Sequence, residues 1–151
     1  MSYHPRTSGR EIALKYLYMH DVLAGQDVMP FENFIMIQLQ EHPPESSSFA
    51  RDLVESVIKH KGELDADISA VAANWDISRM AAVDRNILRL SITELSICPD
   101  TSHKVIINEA VELAKRYSSE EAGAFVNGLL DRVRLKLRPD TKSSTENEEQ
   151  H

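Results

Sequence analysis

A chain of 151 residues with 42% hydrophobic and 27% charged side chains has the composition of one globular domain with a core of its own, and its apolar runs are too short to span a bilayer. The opening MSYHPRTSGR lacks the apolar region of a secretory signal, and a single cysteine, Cys98, excludes an intramolecular disulfide, so the expected compartment is the cytoplasm. The net charge of −7 argues against nonspecific wrapping of nucleic acid. That charge is uneven, at +2 over residues 1–20, −8 over 21–76 and +1 over 77–140. The pattern leaves room for a local basic face and for two partners on different faces.

Periodicity is helical throughout, with no clean period-two alternation. The first helix is expected at about residues 9–22, opened by Ser8 and Glu11 at capping-box spacing. A second follows Pro30, which suits a first-turn position, and ends before Pro43–Pro44. The serines of PPESSSFARDL offer caps for a third, after which Phe49, Leu53, Val57, Leu64, Ile68 and Val71 recur at helical intervals. Gly62 is expected to divide this long pattern in two. SRMAAVDRNILRLSITELSI is the most apolar helix. Its Met80, Val83, Ile87, Leu88, Leu90, Ile92 and Leu95 form an arc wide enough to imply neighbours on more than one side, and Cys98–Pro99 ends it. KVIINEAVELAKRY turns Ile107, Ala110, Val111 and Ala114 inward and pairs Glu112 with Arg116 outward. Ser118 and Glu121, again at capping-box spacing, open a last helix with the stripe Ala122, Val126, Leu129, Leu130 and Val133. The final TKSSTENEEQH has no apolar residue and reads as disordered. The expected fold is all-α, a single-domain bundle of about seven helices over residues 1–138 with a polar tail at 139–151.

Enzymatic chemistry finds no footing. No two of the six histidines share a ligand spacing, and one cysteine cannot build a structural zinc site. The five glycines are isolated, so no phosphate-cradling loop is present. Glu109/Glu112 and Glu120/Glu121 lie on expected wet faces or helix N-termini, where solvation and capping account for them. Binding remains. Arg6, Arg10 and Lys15 open the first helix, and Arg132, Arg134, Lys136 and Arg138 close the last. Both groups suit phosphates, and the second equally suits a helix C-terminal dipole. Phe125, one position before the stripe residue Val126, is either a packed aromatic or a stacking platform for a single-stranded base.

The blocks VDRNILRLSITEL (83–95), KVIINEAVELAKRY (104–117) and FVNGLLDRV (125–133) closely resemble the C-terminal half of the NusB family of bacterial transcription antitermination factors. REIALKYLYMHD (10–21) resembles the family's first helix, and Trp75 precedes the 83–95 block as it often does there. The resemblance implies a seven-helix bundle without enzymatic activity or cofactor. It implies binding of single-stranded boxA-type RNA together with the small-subunit ribosomal protein that acts as NusE, and read-through by RNA polymerase in ribosomal RNA operons. By the same resemblance Phe125 lies at the RNA face, Glu121 falls near it, and Gly128 marks a close approach in a helix. Tyr18, Asp84 and Arg89 match the contact surface for the protein partner. Some family members pair as homodimers, though no dimer surface is legible in this sequence.

The family commonly opens with a dense arginine run, of which only Arg6 and Arg10 are present here. The chain alone is therefore expected to bind RNA weakly and to depend on its protein partner. The same helical domain resembles part of certain ribosomal RNA cytosine methyltransferases, but this chain has no room for their catalytic domain. A protein-only helical adaptor with weakened RNA binding is the remaining alternative.

Overall fold

The computed structural model describes residues 4–72 and 75–140. These form seven α-helices, with no strand among the described residues: α1 (Pro5–Val22), α2 (Phe31–Gln38), α3 (Ser46–Lys59), α4 (Lys61–Val71), α5 (Ala82–Ile97), α6 (His103–Tyr117) and α7 (Glu120–Leu137). A single 3-10 turn, Ile77–Arg79, precedes α5. Of the expected tail at 139–151, residues 141–151 lie outside the described residues.

The wide apolar arc of α5 makes it the axis of the bundle. Every residue from Asn86 to Leu95 is buried, and α1, α3, α4, α6 and α7 all pack against it. One core joins Leu14 and Leu17 of α1, Leu53 and Val57 of α3, Ile68 of α4 and Leu129 and Leu130 of α7 to Ile87, Leu88 and Leu90. Each such side chain contributes about 1.5–3 kcal/mol by leaving water. A smaller cluster of Ile12, Ile35 and Ala50 seats α2. Gly9 lets α1 approach α3 closely, since a Cβ there would fall 2.9 Å from the Phe49 ring and 3.1 Å from the Ser46 carbonyl oxygen.

Buried charge fixes both ends of α5 against α1. Near its C-terminal end Arg10 donates through Nε to Glu94 Oε1 at 2.7 Å and through Nη1 to Glu109 Oε1 at 3.1 Å. Near its N-terminal end Asp21 Oδ2 accepts from Arg85 Nε at 2.6 Å, Asn86 Nδ2 at 2.8 Å and Arg89 Nη1 at 3.1 Å. Arg89 also donates from Nε and Nη2 to the two oxygens of Asp65, bringing in α4. These bonds run α1 antiparallel to α5.

Several helix ends differ from expectation. α1 begins at Pro5 rather than residue 9, and the His4 ring accepts from the Arg6 N–H at 3.2 Å. Ser8 is buried inside the helix and Glu11 binds Arg116 and Tyr117, so their spacing is not a capping box. Arg116 accordingly pairs with Glu11, not Glu112. Ser46 and Ser47 donate to the Pro43 and Pro44 carbonyls instead of capping α3. The α3–α4 break falls at His60, ahead of Gly62. The cap of α7 is Ser119, one residue later than expected, its Oγ accepting from the Ala122 N–H at 3.0 Å.

Candidate functional site

A groove of about 340 Å³ opens between the N-terminal ends of α5 and α7, lined among others by Trp75, Arg79, Asp84, Ser119, Glu121 and Phe125. The α7 register set by Ser119 buries Ala122 and Val126 and turns Phe125 half out of the core. Phe125 packs on that core and on Trp75, the ring centroids 5.7 Å apart and inclined at 57°. Both readings of Phe125 are thus compatible with its position, at once packed and at a rim. Trp75 is 58% exposed. Asp84 sits in the first turn of α5, and its Oδ1 is buried with no hydrogen-bond partner. A buried acceptor left in that state costs about 1–3 kcal/mol until a donor reaches it.

Glu121, Phe125 and Asp84 therefore come together, although the sequence placed the first two toward RNA and the third toward protein. The charge pattern left room for two partners on different faces, whereas these three residues line one groove. Tyr18, 43% exposed, lies one helical turn before Asp21, which grips the residue next to Asp84, so it shares that end of the bundle. Arg6 and Arg10 stand at the other end of α5, since Arg10 binds Glu94, ten residues and roughly 15 Å of helix beyond Asp84. Arg6 is exposed, with its guanidinium 5.0 Å from the Phe49 ring centroid and bonded to Thr101 Oγ1 at 2.7 Å. Lys15 is half-buried on α1.

Burial bears on two of the expected contacts. The Arg10 side chain is 4% exposed and engaged by Glu94 and Glu109, so a phosphate would have to displace a carboxylate. Arg89 is likewise buried between Asp21 and Asp65 and presents no free charge to a partner. No neighbouring helix approaches Gly128 closely among the described residues, since a Cβ there would meet nothing within 4 Å, which leaves RNA as the other expected neighbour.

The basic end of α7 turns partly inward, with Arg132 and Lys136 exposed and Arg134 and Arg138 half-buried. Arg138 donates to the carbonyls of Leu95, Cys98 and Thr101, completing the C-terminus of α5. Arg132 donates to the Val71 carbonyl at 3.1 Å, and Arg134 pairs with Asp131 and Asp140. Arg79 is a groove residue that sequence reasoning did not single out, and Trp75 was marked only by the resemblance, with no binding role given to it. It stands outside any helical stripe and is the sole tryptophan of the chain.

Comparison with known proteins bears on this arrangement. The family model described as the NusB family matches residues 7–134. The transcription antitermination protein NusB of Myxococcus xanthus (strain DK1622) is 44% identical over 134 residues, covering 87% of this chain and 96% of its own length. Among solved structures, T. maritima NusB aligns with a TM-score of 0.76 at 33% identity, over 88% of this chain and 92% of that one. A crystal structure of the antitermination factors NusB and NusE in complex with double-stranded RNA aligns with a TM-score of 0.72 at 27% identity, over 85% of this chain and 95% of that one. With sequence and helical architecture in agreement over most of its length, the chain belongs to the NusB family of transcription antitermination proteins.

Proposed function

We propose that this protein acts in the cytoplasm by binding single-stranded, boxA-type RNA together with a NusE-type small-subunit ribosomal protein, promoting read-through by RNA polymerase in ribosomal RNA operons. The observation that carries the reading is the shared groove: Phe125 offers a ring face at its rim, and Asp84 offers a buried acceptor without a donor. A stacked base suits the first and a donor from a protein partner suits the second. A relative that occurs in a complex with NusE and RNA supports pairing the two ligands on one chain. Phosphate contact falls to Arg6 and Lys15, because Arg10 is internal. Such sparse charge fits a protein that binds RNA tightly only with its partner.

Gel-shift titration of the RNA, with and without the NusE-type protein, tests this. The expected result is weak binding alone and tighter binding in the ternary mixture. The burial of Arg10 specifically favours one competing reading, a protein-only adaptor. Partner binding with no RNA shift in either titration would establish that alternative.

A further inference from the structure

We propose that Trp75 and Phe125 form a two-ring corner that holds one unstacked base of the single-stranded RNA, with Arg79 taking the adjoining phosphate; this rests on the RNA reading above. The two rings touch at 5.7 Å between centroids, so no base fits between them as in a sandwich. Their 57° inclination instead leaves a notch, in which a base lies flat on one ring and turns its edge to the other. Trp75 is the more exposed ring, and it lines the groove beside Phe125 together with the apolar Met80, Ala81 and Ala122. A volume of about 340 Å³ is at the small end of ligand pockets and suits a nucleotide rather than a folded segment.

Charge sets the direction of entry. Asp84 and Glu121 line the same groove and repel a phosphate drawn into it, so the strand enters base first. Arg79 is exposed on the 3-10 turn, and its guanidinium makes no hydrogen bond or salt bridge among the described residues. The exposed Asp76 carboxylate feels its charge without pairing with it, which leaves the guanidinium available to a phosphate outside the notch. Asp76 holds that turn by accepting from the Ser78 N–H at 3.0 Å, which fixes Arg79 relative to Trp75.

Because Trp75 is the only tryptophan, its emission reports on this corner alone. The experiment follows that emission in the full chain during titration with a short labelled single-stranded RNA carrying a boxA-type element, while anisotropy of the label measures binding independently. Both titrations are run with and without the NusE-type protein. We expect quenching in step with anisotropy. Trp75→Leu should weaken binding roughly five- to a hundredfold, Trp75→Phe should keep most of the affinity, and neither should change the melting temperature appreciably. Arg79→Gln should flatten the log–log salt slope by about 0.7. RNA bound by anisotropy with unchanged emission and an unaffected Trp75→Leu would overturn the corner while leaving the RNA reading intact. Emission that moves fully on adding the NusE-type protein without RNA, and no further when RNA then binds, would overturn the corner as a base site and assign it to that partner. No anisotropy change under either condition would overturn the RNA reading itself, and the corner with it.

Discussion

The ion network around Asp21 sets a measurable stability term. Burial alone would raise the Asp21 carboxyl, but hydrogen bonds from Arg85 and Asn86, with the charges of Arg85 and Arg89, overcome it and bring the pKa down to about 2. Against roughly 3.9 in an unfolded chain, that depression is worth about 2–3 kcal/mol at neutral pH. The side chain is only 11% exposed, so solvent screening takes little of it. Asp21→Asn removes the charge and turns an amide N–H toward guanidinium donors, so the loss should be at least this large. For a chain of this length the melting temperature should fall by roughly 4–12 °C. The pH dependence carries the sharper test. A depressed folded-state pKa stabilises above the unfolded value, and the contribution is lost as pH falls from about 4 toward about 2. Urea denaturation of both proteins from neutral pH down to that range should show the gap between them narrowing over this window. A gap independent of pH, or one below about 0.5 kcal/mol at pH 7, would refute the assignment of this network as a stabilising charge cluster.

Other substitutions test the local geometry by thermal melt. Ser119→Ala should cost about 1 kcal/mol as loss of the α7 cap, and Ser118→Ala much less; equal effects would contradict the observed register. Gly9→Ala should cost about 1–3 kcal/mol, because its Cβ collides with Phe49 and the backbone of α3. Gly128→Ala should instead stabilise by about 0.5–1 kcal/mol, having open space and a helical backbone, and a loss would show a neighbour that the bundle does not contain.

What could be read from the sequence was whatever repeats with the helix. The stripe of α7, Ala122 to Val133, and the wide arc of α5, apart from the half-buried Val83, are buried as their spacing implied. Caps were less legible because Ser-x-x-Glu occurs inside helices as well as at their starts. Ser8 and Glu11 have that spacing, yet Pro5 opens the helix four residues before Gly9, and Glu11 is committed to α6. Long-range ion pairs left no local trace at all. Nothing between residues 10 and 94 announces that Arg10 and Glu94 meet, so a buried arginine and a surface one looked alike. The groove was half legible, through Phe125 and Glu121. Trp75 and Arg79 join it through the turn after α4, where periodicity carries no information.

The contrast between Arg6 and Arg10 follows from that last point and separates surface charge from internal charge. Both sit on the first turns of α1, four residues apart, and both guanidinium groups lie near the Phe49 ring, at 5.0 and 5.5 Å. Arg6 is exposed and bonded only to the Thr101 hydroxyl, a link that a phosphate can replace. Arg10 neutralises Glu94, whose side chain is 1% exposed, and removing the guanidinium would strand that carboxylate in the core. Breaking one side of a buried pair costs about 3–5 kcal/mol, which for this chain length means a melting temperature lower by roughly 6–20 °C. Arg10→Gln should therefore destabilise the fold, while RNA affinity per folded molecule keeps its salt dependence. Arg6→Gln should do the reverse, leaving the melt unchanged and flattening the log–log salt slope by about 0.7, the share of one phosphate on a single strand. Salt titrations of both variants, each at a temperature where the protein is folded, decide the matter. If Arg10→Gln melted normally and lost salt dependence, the guanidinium would have to leave Glu94 for a phosphate on binding, and the internal tie would be a switchable contact instead of a fixed one.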